Sequence, residues 1–223
     1  MQLLKTTAEL YIKIMPTSRS YGDACTIARA LDVVGERWAL LVVRELLLGP
    51  QRFSDVRRAL PGASSNLVTD RLRELEARGV VTRRPLPPPA ASTVYELTGR
   101  GRELEPVVLA LGEWGARVPL PRPASLGVVP VLLFLRESAR PRGTACYRVE
   151  LDARVWTVRT QPGRLTVEPG EPDAPDATIR TDPSTLNTLL DHPSGLQDAL
   201  ADGRVTIEGD RNAVRRLLRE RES

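Results

Sequence analysis

The sequence predicts a two-domain α+β chain: a mostly helical N-terminal domain closed by a β-hairpin, then a domain that mixes a sheet with helices. Three observations lead there. Apolar residues recur at helical spacing in four stretches between residues 25 and 78, and two short β-like runs follow them. A stretch at 118–125 then interrupts the chain with Pro119, Pro121 and Pro123 and reads as a stiff linker. Beyond it, three segments alternate apolar and polar residues with period 2. At roughly 100 to 200 residues per domain, 223 residues leave room for two cores. The expected division is an extension at 1–20, a first domain at 21–117, the linker at 118–125 and a second domain at 126–223.

Composition narrows the chemistry. No apolar run approaches the ~20 residues of a membrane-spanning helix, and the first residues lack a small-residue cleavage site. A cytoplasmic protein without a membrane role is the expectation. Cys25, Cys146 and His192 are three potential soft ligands, scattered along the sequence, whereas a structural zinc takes four. A catalytic triad would have to use His192, which sits between Asp191 and Pro193 in what reads as a solvated turn. There is no glycine-rich phosphate loop. No metal, cofactor or catalytic residue is expected.

In the first domain, Ile27, Ala30, Leu31 and Val34 follow i, i+3, i+4, i+7, one face of a helix that Gly35 ends. A second helix, over 36–48, is apolar on most sides and is stopped by Gly49 and Pro50. A short one follows at 53–60, with Ser54 as its cap. After the Pro61-Gly62 turn, Ser64 or Ser65 caps a helix that runs to Arg78, with Val68, Leu72 and Leu75 facing the core. Its opposite face carries Asn66, Thr69, Asp70, Arg73 and Ala77, small polar and basic groups rather than the Glu/Lys mixture of a solvated face. Strands at 80–84 and 93–97 flank a proline-rich loop. A long helix capped by Thr98 carries the stripe Leu104, Val107, Val108, Leu111 and Trp114, and Pro106 bends it or marks its true first turn.

Helix, helix, short helix, turn, helix and hairpin is the order of a winged helix-turn-helix, in which the second helix of the turn enters the major groove of DNA. Charge placement agrees. Residues 51–84 hold eight arginines (52, 57, 58, 71, 73, 78, 83 and 84) against four acids (55, 70, 74 and 76), able to neutralise phosphates. Lys5 and Lys13, the two lysines of the chain, fall in its first 13 residues, so 1–14 reads as an added extension.

These residues resemble the HxlR-type family of bacterial transcription regulators, relatives of the MarR-like winged helices. The matching elements are Cys25 to Trp38; Gly49 with Arg52, Phe53, Ser54, Asp55 and Val56; Leu67 to Val81; Tyr95, Glu96, Leu97 and Thr98 with Gly101; and Trp114-Gly115. The resemblance implies a homodimer on a palindromic double-stranded operator, with the first and last helices of the domain making the dimer contact. Candidate DNA-binding residues are then Ser65, Asn66, Thr69, Asp70, Arg73, Arg83 and Arg84, and candidate dimer residues Leu104, Val107, Leu111 and Trp114. The family commonly keeps a cysteine ahead of the first helix, in some members as a thiol sensor, which makes Cys25 a redox candidate. A small residue buried at the dimer seam is the other reading of Cys25.

In the second domain, an apolar helix begins at Val128 and three strands at 147–151, 155–159 and 165–168 form a meander. A fourth strand at 176–181, a helix begun by Asp182 and Pro183, a short helix, a strand at 204–208 and a final helix capped by Asp210 complete it. Ala177, Thr178 and Ile179, then Leu186, Leu189 and Leu190, then Gly203 to Asp210 are similar to the sterol carrier protein-like fold. Its helices offer more apolar surface than a small sheet needs, which suggests a pocket for a hydrophobic small molecule. Phe134, Tyr147, Trp156, Leu189 and Leu217 are its candidate lining. The leading functional reading is a DNA-binding regulator without enzymatic activity, with this domain as a possible sensor of an apolar ligand. A lipid or sterol carrier that uses the winged helix only to dimerise is the alternative, but it would not need the polar helix face at 65–73.

Overall fold

The computed structural model describes residues 20–86, 92–119 and 126–219. Residues 1–19 of the expected extension, the hairpin tip at 87–91 and linker positions 120–125 lie outside them. The chain forms two compact units, one containing Pro50–Ala110 with the residues up to Leu46, the other Leu47–Gly49 with Leu111–Ser223. No helix among the described residues is long and apolar enough to cross a membrane.

Up to Gly115 the order is α1 (Thr26–Val34), α2 (Ala39–Leu46), β1 (Gln51–Arg52), α3 (Phe53–Ala59), α4 (Ser65–Ala77), β2 (Val81–Pro85), β3 (Thr93–Leu97), α5 (Gly99–Arg102) and α6 (Glu105–Gly115). The core holds Val42, Val43 and Leu46 of α2, Val56 of α3, and Val68, Leu72 and Leu75 of α4. Several local expectations shift. The second helix starts at Ala39, not at residue 36, because Trp38 turns the chain with φ 79°. Gly62 lies against that ring: a Cβ there would stand 2.9 Å from Trp38 Cη2. Ser54 does not cap α3, whose N-cap is Arg52. The long helix expected after Thr98 is two helices, and Pro106 lies in the first turn of α6, where its missing N–H costs nothing.

The wing gains a third strand that local pattern does not announce. β1 pairs antiparallel with β3, Gln51 opposite Tyr95, giving the order β1-β3-β2. One helix face also turns out differently. Ile27 is 70% and Leu31 42% exposed, so the described residues leave the apolar stripe of α1 largely uncovered apart from Val34.

The second unit contains α7 (Val128–Ser138), β4 (Ala145–Leu151), β5 (Arg154–Gln161), β6 (Arg164–Pro169), β7 (Ala177–Thr181), α8 (Pro183–Asp191), a single 3₁₀ turn (Pro193–Gly195), α9 (Leu196–Ala201), β8 (Thr206–Gly209) and α10 (Arg211–Arg219). The sheet order is β6-β5-β4-β7-β8, antiparallel except where β4 runs parallel to β7. Alternation decides its faces: Tyr147, Val149 and Leu151 point into the core with Trp156, Val158 and Ile179, while Arg148 and Glu150 point out. Helices α7, α8 and α10 supply the rest of that core through Val131, Leu132, Leu135, Leu186, Leu189 and Leu217. The outer face carries a charge ladder. Arg148 bonds Glu171 at 2.7 and 2.9 Å and Glu150 at 2.8 Å, and Arg180 bonds Glu208 at 2.6 Å.

Asp182 caps α8, accepting the Thr185 N–H at 2.9 Å and the Thr185 hydroxyl at 2.6 Å. Asp182→Ala is expected to destabilise this unit by ~1 kcal/mol in urea unfolding, since an N–H of the first turn loses its acceptor. A change below a few tenths would contradict that role.

Candidate nucleic-acid interface

Helix α4 is held by one face and presents the other. Ser64 Oγ accepts the Leu67 N–H at 3.2 Å, which fixes the start of the helix. Val68, Leu72 and Leu75 are at most 1% exposed and anchor it to the core. Arg71, one of the eight clustered arginines, belongs to this inner edge instead. It is 9% exposed, and its guanidinium lies 2.6 Å from Glu74 and 3.5 Å from Glu36. The burial that makes it a strut removes it from any phosphate.

On the opposite face Ser65, Asn66, Asp70 and Arg73 are exposed, while Thr69 is half-buried and its hydroxyl donates to the Ser65 carbonyl at 2.9 Å. Arg73 makes no hydrogen bond or ion pair with any described residue, so its five N–H donors point to solvent unspent. Arg57, which was not singled out beyond its membership of the cluster, stands at the start of α4. Its Nε donates to Ser65 Oγ at 3.3 Å and an Nη to the Leu60 carbonyl at 3.4 Å. Both partners are neutral, so the charge of Arg57 is uncompensated there. Its composition-level signal was the arginine cluster itself, but only the fold brings it beside Ser65.

Arg83 and Arg84 lie on β2, opposite Tyr95 and Val94 of β3. Each is exposed and paired: Arg83 with Glu76 at 2.9 Å, Arg84 with Glu96 at 3.3 Å. Such solvent-screened pairs hold their arginines only weakly against a competing phosphate.

Helix α6 has no buried residue: Val107 is 50%, Leu111 49% and Trp114 66% exposed, spaced i, i+4, i+7, with Leu104 half-buried. An open concavity of about 420 Å³ lies in the first unit, with Ala30, Val33, Val34 and Leu104 on its walls and Arg29 and Arg100 among its polar lining. Cys25 just precedes α1 and is exposed, and the backbone N–H groups of Ala28 and Ile27 hold its thiol below the ordinary range. Burial pushes the Cys146 thiol up instead. At neutral pH iodoacetamide is therefore expected to modify Cys25 before Cys146, as followed by peptide mass spectrometry, and equal rates would contradict this.

The candidate lining of an apolar pocket is dispersed or packed. Phe134 is 40% exposed, outside the buried group, whereas Tyr147, Trp156, Leu189 and Leu217 are at most 4% exposed within one continuous core. Tyr147 Oη donates to the Ala213 carbonyl at 3.0 Å. Tyr147 and Leu217 border a cavity of about 40 Å³, space for a few waters and not for a lipid.

Comparison with known proteins follows the same division. The model of the HxlR-like helix-turn-helix family matches residues 33–121, and that of the SCP-2 sterol transfer family matches residues 136–219. The uncharacterized HTH-type transcriptional regulator sll1512 of Synechocystis sp. is 39% identical over 95 residues, 43% of this chain and 70% of that protein. The uncharacterized HTH-type transcriptional regulator YvaP of Bacillus subtilis is 40% identical over 86 residues, 39% of this chain and 80% of that protein. A solved structure described as the redox regulator HypR in its oxidized form is 37% identical, with a TM-score of 0.41, over 43% of this chain and 98% of that one.

Proposed function

The chain belongs to the HxlR-like helix-turn-helix family, and from that membership we propose that it is a sequence-specific transcriptional regulator that binds double-stranded DNA as a homodimer. The observation that carries the reading is Arg73, exposed on α4 with no partner among the described residues, on the face it shares with Asn66 and Asp70. A helix held by Val68, Leu72 and Leu75 presents these groups rigidly, as base readout requires. Arg73 and Asn66 reach base edges in the major groove; Arg83, Arg84 and Arg57 contact the backbone and set the register. The apolar faces of α1 and α6 meet their counterparts in a second copy, which sets two α4 helices about one DNA turn apart and gives a palindromic site.

Among the described residues the second unit buries its apolar side chains in one continuous core, and the cavity that Tyr147 and Leu217 border holds about 40 Å³. This weighs against a reading of the chain as a lipid carrier and leaves the DNA-binding face as the better-supported site.

The test is a mobility shift with the DNA upstream of the protein's own gene, repeated with Arg73→Ala. The variant is expected to lose ~1–3 kcal/mol on the specific site and to tolerate more bases at one position, with non-specific binding little changed. Equal weakening on specific and random DNA would make Arg73 a phosphate contact and overturn the assignment.

A further inference from the structure

Helix α10 (Arg211–Arg219) carries a second set of uncommitted cations. Ala213, Val214, Leu217 and Leu218 are buried, so Arg211, Arg215 and Arg219, at i, i+4 and i+8, line the outer surface in one row. With 1.5 Å of rise per residue, successive members stand about 6 Å apart along the axis. The nine residues contain no acid. Asp210, which precedes the helix, is engaged: its Oδ1 accepts the N–H groups of Asn212 and Ala213 at 2.8 and 3.1 Å, and its Oδ2 faces Arg216 at 3.5 Å.

The contrast within the same unit is informative. On the outer face of the sheet, Arg148, Arg159 and Arg180 each pair with a glutamate. Along α10, Arg211 and Arg219 form no ion pair with any described residue, and the hydrogen bond of Arg215 goes to the neutral Asn212 at 3.2 Å. Residues 119–223 hold 15 arginines and 15 acids, so this positive row arises from placement and not from composition.

Beside the row is a hollow of about 60 Å³, lined by Ser194, Gln197, Arg215, Leu218 and Arg219 with Pro193 and Leu196. Its polar walls offer a hydroxyl, an amide and two guanidinium groups, with no carboxylate. That set fits a single phosphate group, which arginine grips through two parallel N–H bonds. The exposed arc has no apolar side chain, whereas a helix that lies on a membrane must bury one. An extended run of phosphates satisfies all three arginines at once.

We propose that Arg211, Arg215 and Arg219, with Ser194 and Gln197, form a second DNA-backbone site, through which the C-terminal unit holds DNA flanking the operator. This rests on the DNA-binding reading above and extends it: α4 reads sequence, and α10 adds sequence-independent, salt-sensitive affinity.

The full chain is compared on two duplexes, the minimal operator and the same operator extended on both sides. Wild type is expected to bind the extended duplex more tightly. The triple variant Arg211→Gln, Arg215→Gln, Arg219→Gln should lose that gain, and its salt slope on the extended duplex should fall by about 2–3 per protomer, at roughly 0.9 per phosphate contact. Its affinity for the minimal operator should be unchanged, which also shows that it folds. The corresponding triple lysine variant should retain most of the slope. Equal wild-type affinity for both duplexes, or an unchanged slope in the glutamine variant, overturns this proposal while leaving the α4 reading intact. Failure of wild type on any DNA, with Arg73→Ala indistinguishable from it, overturns the DNA-binding reading itself. Loss of binding to phosphatidylserine vesicles in the triple variant, with DNA affinity unchanged, would assign the row to a membrane and also overturn the proposal.

Discussion

Leu111→Asp is expected to yield a monomer that binds the operator about 10²–10⁴-fold more weakly, because the second recognition helix is no longer held at high effective concentration. Leu111 is 49% exposed, between Val107 and Trp114, so the substitution removes little from the fold of one chain. In the proposed dimer the two-fold axis brings a carboxylate from each copy into an apolar seam, where an unpaired charge is costly. Light scattering at low concentration should report the monomer mass, and mobility shifts the lost affinity. A variant that stays dimeric, or a monomer that binds at full strength, contradicts α6 as the dimer contact.

Trp156→Ala is expected to cost ~3–5 kcal/mol of stability, the largest loss anticipated for any single core substitution considered. The ring is fully buried on β5 between the sheet and the helices, and the Arg154 guanidinium stacks over it at 4.9 Å. Removing it leaves a void that the rigid sheet closes only in part. Trp156→Phe separates volume from polarity. The buried Trp156 Nε1 has no hydrogen-bond partner in the described structure, so losing it forfeits no bond, and the smaller ring should cost much less than alanine. Urea unfolding of both variants checks this, and an alanine variant within 1 kcal/mol of wild type would contradict it.

Much of the candidate interface was legible in sequence because α4 is specified locally. Its cap, Ser64, and its core face, Val68, Leu72 and Leu75, lie within twelve residues, so helical periodicity alone assigns Asn66, Asp70 and Arg73 to the other side. The sheet faces were equally readable: period 2 puts Tyr147, Val149 and Leu151 on one side and Arg148 and Glu150 on the other. In both cases the decisive interactions are those of near neighbours.

What sequence by itself determined is therefore the two-unit α+β order, helix α4 with its outward polar face, and the alternation of the C-terminal strands. Only the tertiary structure separated Arg71 from Arg73: identical side chains two positions apart, one buried against Glu74 and Glu36, the other exposed and without an ion pair among the described residues. It alone supplied β1, whose two residues carry no period and exist as a strand only through β3. It alone left Ile27 and Leu31 outside, although their spacing is that of a core face, because periodicity marks an apolar stripe and says nothing of what covers it. Tertiary structure alone also placed the expected pocket residues, Tyr147, Trp156, Leu189 and Leu217 in one core and Phe134 outside it. A count of leucines fixes how much apolar surface must be buried, but whether it encloses a cavity depends on how side chains from distant segments interdigitate, and close packing in three dimensions settles that.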